Sequence, residues 1–140
     1  MQKRTISREI ALKVLYACDI SKDSLKDTIE KFWLVNNKFD ENIIDFSNSI
    51  VFGINEYFEQ INNIISESSA NWTITRMATI DRNILRIACF ELLYHLDTPE
   101  KVIMNEAINL AKKYGDENSS KFVNGMLDKI NKEYRIKNKK

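Results

Sequence analysis

Apolar residues recur along the chain at intervals of three and four, the spacing of helices with one buried face. Ile6, Ile10, Val14 and Ala17 make such a stripe over about residues 5–20, with Thr5 or Ser7 placed to cap it and Arg4, Arg8 and Lys13 turned away from it. Ser24 with Asp27 three residues on resembles a capping box and opens a second helix through Leu25, Ile29, Phe32 and Trp33, before "NNKFD" reads as a loop. From Asp40 to about Ser66 the stripe runs through Ile43, Ile50, Ile54, Tyr57, Ile61 and Ile65. That spacing predicts one long helix or two nearly continuous ones, with Gly53 as the point where it bends or packs closely.

"SESSANWT" breaks the pattern and predicts a connection, with a short helical turn at 72–77. The most apolar segment, "TIDRNILRIACFELLYHLD", has Thr79 as its cap and Asp81 in its first turn, and apolar residues around most of its circumference predict a central helix. "DTPEK" signals the next start, with Thr98 as cap and Pro99 at the first helical position. That helix turns Ile103, Ala107, Leu110 and Tyr114 inward and stops at Gly115, read as a left-handed terminating residue. A last helix begins near Asn118 or Ser119 and buries Val123, Met126, Leu127, Ile130 and Tyr134. No segment alternates as a strand does, so the expected fold is all-α, with six or seven helices in a single 140-residue domain.

Composition narrows the class. With 44% hydrophobic and 29% charged residues, the chain is globular rather than disordered. "ILRIACFELLYHL" is interrupted by Arg86 and Glu91, so no run reaches the roughly 18 apolar residues of a membrane span. The N-terminus lacks a secretory apolar stretch, which makes the cytoplasm the expected location. Cys18 and Cys89, each inside an apolar helical segment, read as two buried thiols. The net charge of +1 hides a division: residues 1–13 hold Lys3, Arg4, Arg8 and Lys13 against Glu9, and residues 129–140 hold six basic groups against Glu133. Basic ends on an acidic interior suit a polyanion, or simply soluble termini.

Catalytic chemistry is missing from the pattern. One histidine, His95, and two distant cysteines have no metal-ligand spacing, so neither metal nor cofactor is expected. His95 reads as a partly exposed helix-end residue. Isolated glycines form no phosphate-cradling loop, and no nucleophile motif occurs. Asp116 and Glu117 read as an acidic turn on a solvated surface. The chain has the character of a binding module, not an enzyme.

"SSKFVNGMLDKI", residues 119–130, carries the candidate chemistry. If Val123, Met126 and Leu127 face inward, Lys121 and Phe122 fall at the helix start, where free N–H groups favour an anion. A lysine for phosphate beside an aromatic for a base is how single-stranded RNA is held; spacing alone favours Phe122 as core. Gly125 is expected to admit a neighbouring helix closely, with Asn124 bonding to neighbouring backbone.

"KFVNGMLDKI", preceded by "NEAINLAKKYGDENSS", by "DRNILRIACFELLYHLDTPEKVIMNEA" and by "SREIALKVLYACDI", resembles the bacterial transcription antitermination factor NusB family. The likeness spans nearly the whole chain and is weakest from about 20 to 75. It implies two helical subdomains, about 1–70 and 71–135, followed by a frayed basic tail at 136–140, and no enzymatic activity. It implies pairing with NusE, a small-subunit ribosomal protein, and binding of the single-stranded boxA element of nascent RNA, notably from ribosomal RNA operons. RNA polymerase and other Nus factors would complete the assembly, and a homodimer is possible.

By the same resemblance the RNA surface corresponds to Lys3, Arg4, Arg8, Asn118, Lys121 and Phe122, with Arg86 either near that surface or in a buried ion pair with Glu91 or Asp81. Tyr16, Asp81 and Arg82 match where the family meets NusE, and Tyr16 alternatively reads as core. Thr5 and Ile6 occupy places that are often arginine, and Asn118 one that is often acidic. Two rivals stand beside this reading: the helical domain of a ribosomal RNA methyltransferase lacking its catalytic part, and a homo-oligomeric helical scaffold.

Overall fold

The computed structural model describes residues 2–69 and 74–136. Seven α-helices lie within them: α1 (Lys3–Ser21), α2 (Leu25–Val35), α3 (Glu41–Glu56), α4 (Phe58–Ser68), α5 (Thr79–Tyr94), α6 (Glu100–Tyr114) and α7 (Ser119–Ile130). A 3-10 turn at Ile74–Arg76 and a π-helical turn at Asn131–Ile136 complete the element order. No strand occurs among the described residues, so the fold is all-α. Part of the short turn expected at 72–77 and the last residues of the basic tail lie outside the described residues.

The chain forms two compact units, Met1–Tyr57 and Phe58–Lys140, dividing well before residue 70. The break comes where the long stripe was ambiguous. Tyr57 donates its N–H to Gly53 O at 3.1 Å but leaves helical geometry at φ −107°, ψ 29°. Gly53 is thus not the break itself, and α4 packs with α5 and α7 of the second unit.

In the first unit α1 packs mainly on α3, with α2 beside both. Ile10, Leu12, Val14, Leu15, Ile29, Ile43, Ile50 and Ile54 are buried among them. Ser24 caps α2 as expected, its hydroxyl accepting Asp27 N–H at 3.1 Å. α1 differs from expectation. It starts at Lys3, with Gln2 at the cap position and no side-chain capping bond, so neither Thr5 nor Ser7 is the cap. Ser7 is fully buried one turn inside, its hydroxyl 2.9 Å from Ile43 O of α3 and 3.0 Å from Lys3 O. Ser47 Oγ donates to Ser7 O at 3.0 Å. Buried hydroxyls need partners, and these find theirs across the α1–α3 seam. The seam also turns Arg8 inward and leaves Ala17 exposed over a groove between α1 and α2 that includes Phe32 and Val35.

In the second unit α5 runs through the middle, in contact with α4, α6 and α7. Its residues from Asn83 to Leu92 are all buried, as the near-continuous apolar circumference requires. Two starts shift by one residue. Thr79 is the first helical residue of α5 with Ala78 at the cap, and Pro99 occupies the cap of α6. Thr98, one position before the cap, is buried, and its carbonyl accepts from Arg135 Nη2, which also bonds Leu96 O at 3.2 Å. Gly115 is extended at φ −90°, ψ −173°, not left-handed. Space is what demands glycine there: a Cβ would lie 2.8 Å from Ala111 O and collide with the Ser119 side chain.

Candidate nucleic-acid interface

In the first unit the candidate residues lie at the start of α1. Lys3 is exposed, and its Nζ pairs with Asp40 Oδ2 at 3.0 Å. Asp40 is the N-cap of α3, accepting Asn42 N–H at 2.8 Å. The hydrogen bond from Lys3, then that from Asn42, holds the Asp40 carboxyl below its ordinary range. Arg4, also exposed, places its guanidinium carbon 4.6 Å from the centroid of the Phe46 ring on α3. Arg8, one turn on, lies 5.3 Å from the same centroid but is only 2% exposed. The arm is therefore a helix end pinned to α3, with Arg4 the more accessible of its two arginines. Further along α1, Tyr16 is 41% exposed, an accessible ring rather than core.

The second unit has its own groove of about 340 Å³, lined by Arg76, Met77, Ala78, Asp81, Asp116, Asn118 and Phe122. The turn before α7 is built by Asp116. Its Oδ1 accepts Asn118 N–H at 2.9 Å, and its N–H donates to Ser119 Oγ at 3.0 Å. This closes the chain tightly after Gly115 and starts α7 with Asn118 and Lys121 exposed and Phe122 half-buried. Asn118 makes no side-chain capping bond to α7. Val123, Met126 and Leu127 face the core as their spacing requires. Asn124 and Gly125 do not pack against a neighbour: both are exposed, and a Cβ at Gly125 would meet nothing within 4 Å.

Asp81, on the first turn of α5, is 8% exposed with its Oδ1 buried and without a hydrogen-bond partner. Burial raises its carboxyl above the ordinary aspartate range, with the Ser119 hydroxyl opposing the rise and the Asp116 charge adding to it. The groove therefore joins Asp81, assigned from sequence to a protein partner, with Asn118 and Phe122, assigned to RNA. Arg82 is half-buried and outside the groove lining.

Arg86 is 6% exposed and held from three sides. Its Nε donates to Asn62 Oδ1 at 2.9 Å, its Nη1 to Asn83 Oδ1 at 2.8 Å, and its guanidinium lies 4.9 Å from the Phe58 centroid. These interactions tie α4 to α5. His95 caps the C-terminal end of α5, half-buried, with Nδ1 3.6 Å from Glu91 Oε1. The Cys89 thiol, fully buried, is pushed up to about 12 and is inert as a nucleophile. No group of three or more potential metal ligands occurs among the described residues. Lys3, Arg4 and Lys121 are exposed cations, and Phe122 is a half-buried ring beside the last of them.

Phe46, Asp40, Met77 and Asp116 were not picked out as site residues from sequence. Phe46 follows Ile43 by three and precedes Ile50 by four, which reads as core, and nothing local reveals that α1 lays two arginines on it.

The NusB family model matches residues 5–132. That covers nearly the whole chain. The chain belongs to the NusB family. A transcription antitermination protein NusB from Anaeromyxobacter dehalogenans is 42% identical over 128 residues, covering 91% of this chain and 89% of that protein. One from Thermodesulfovibrio yellowstonii is 40% identical, covering 98% and 97% respectively. Among solved structures, T. maritima NusB superposes with a TM-score of 0.89 at 35% identity, over 99% of this chain and 96% of that one. A complex of the antitermination factors NusB and NusE with double-stranded RNA matches with a TM-score of 0.87 at 28% identity, over 96% and 99%. The NusB likeness thus extends through residues 20–75, where the sequence motifs were weakest.

Proposed function

We propose that this chain is a cytoplasmic transcription antitermination factor without enzymatic activity. It pairs with the ribosomal protein NusE and binds single-stranded boxA-type RNA in nascent transcripts, notably those of ribosomal RNA operons, within an RNA polymerase complex containing other Nus factors. The observation that carries the reading is the exposed Lys121 beside half-buried Phe122 at the first turn of α7, a cation and a ring edge at the positive end of a helix. Lys3 and Arg4 supply further phosphate contacts, Asn118 borders the RNA, Arg8 steadies the start of α1 on Phe46, and Arg86 ties α4 to α5 in the second unit. Tyr16, Asp81 and Arg82 meet NusE. The similarity to antitermination proteins across nearly the whole chain supports the assignment.

The test is RNA binding with and without NusE, using a single-stranded boxA-type oligonucleotide and the same sequence as a duplex. Tighter binding of the single strand, strengthened by NusE, is expected. Phe122→Ala should weaken that binding by about 1–3 kcal/mol with little dependence on salt, because stacking releases no counterions. Equal affinity for strand and duplex, unchanged in Phe122→Ala, would overturn the single-strand assignment. Asn118→Asp should bind RNA more weakly than the parent at low salt, the two converging as salt screens the added charge. Sedimentation of the free chain separates this reading from the scaffold: a stable dimer that neither binds RNA nor is dissociated by it would favour the latter.

A further inference from the structure

Arg4 and Arg8 stand four apart on α1, where like charges repel one another. Their guanidinium carbons lie 4.6 and 5.3 Å from the centroid of one ring, Phe46, within the roughly 6 Å over which a ring quadrupole attracts a cation. The ring is fixed in register, because Ser7 between the two arginines is bonded to Ile43, and Ser47 next to Phe46 is bonded back to Ser7. Arg8 is buried and Arg4 is exposed, so the same ring supports one desolvated and one solvent-facing guanidinium.

We propose that Phe46 is a positioning residue of the RNA interface, holding Arg4 ready for the phosphates of single-stranded RNA while Arg8 fixes the ring and the helix end beneath it. An unsupported arginine loses much side-chain freedom when it meets a phosphate. On Phe46 part of that ordering precedes binding, and the N–H donors of Arg4 remain available to the ligand. The inference rests on the RNA-binding reading above.

The experiment is a double-mutant cycle on Arg4 and Phe46, measured as affinity for a single-stranded boxA-type oligonucleotide with NusE present. Phe46→Leu keeps apolar bulk without a ring face and should lower affinity about twofold to fivefold. Phe46→Tyr should restore it. Arg4→Ala should weaken the parent and Phe46→Tyr, but cost clearly less in Phe46→Leu, because a merely structural Phe46 would leave the two losses additive. Should Phe46→Leu lose helical content, the parent decides alone: free of RNA, its Arg4 side-chain protons must show upfield ring-current shifts, and their absence would refute the proposal. Additive losses in folded variants would refute it as well while leaving RNA binding intact. A parent that binds no RNA would overturn both this inference and the reading beneath it.

Discussion

Gly125 lies on the open side of α7, where an added methyl group meets no atom within 4 Å and the glycine only weakens the helix. Gly125→Ala should therefore stabilise the free protein by about 0.5–1 kcal/mol in chemical denaturation. If affinity for RNA or NusE nevertheless falls, the bare backbone there is needed by a partner. Gly115→Ala should do the reverse and destabilise, because its Cβ has Ala111 O at 2.8 Å and the Ser119 side chain in its way. Asp81 makes a third case at this scale. Its carboxyl is raised chiefly by burial, so the folded state holds a proton more tightly than the unfolded chain and loses stability as pH rises through the raised value. Asp81→Asn should thus raise Tm at pH 7, with the advantage shrinking as pH falls toward about 4, where the unfolded aspartate also protonates. A Tm difference independent of pH would rule this out.

The helices were legible at the scale of elements because burial imposes a 3.6-residue period that survives any arrangement of neighbours. Their ends were less so. Thr5, Ser7 and Thr98 all look like caps, yet Ser7 bonds Ile43 O of α3 and Thr98 gives its carbonyl to Arg135, partners that lie 36 and 37 positions away. No local rule sees such a partner. Arg135 shows the same thing more strongly: it is one of the six basic groups of residues 129–140, read as contacts for a polyanion or as a soluble terminus, whereas its side chain is fully buried and joins the final turn to the carbonyls of the loop between α5 and α6. Its Nε also lies 3.9 Å from Glu100 Oε2. Arg135→Ala should cost about 2–3 kcal/mol in denaturant unfolding, the range for charged hydrogen bonds whose removal leaves buried acceptors behind. A cost below about 0.5 kcal/mol would mean that water replaces the guanidinium.

At the scale of the whole molecule, the sequence exposed the charge division and the Lys121–Phe122 pair, both being local in the chain. It did not expose which cations reach the surface. Arg8 and Arg86 are spaced as though solvent-facing or paired with an acid, and the fold puts one on Phe46 and the other among Asn62, Asn83 and Phe58. Of the arginines and lysines assigned to RNA, Lys3, Arg4 and Lys121 are therefore the exposed ones, and Lys3 is already paired with Asp40. This ranks their electrostatic effects. Removing one cation from a phosphate should lower the slope of log affinity against log salt by about 0.7 for a single strand. Arg4→Ala and Lys121→Ala, in separate units, should each remove about one such step, and the double variant about two. Arg8→Ala should change the slope less than Arg4→Ala and lower Tm more, because its guanidinium is 2% exposed. Asp40→Asn keeps a competent helix cap while releasing Lys3, so it should raise both affinity and slope. A double variant no flatter than either single one would show that RNA draws on the cations of only one unit.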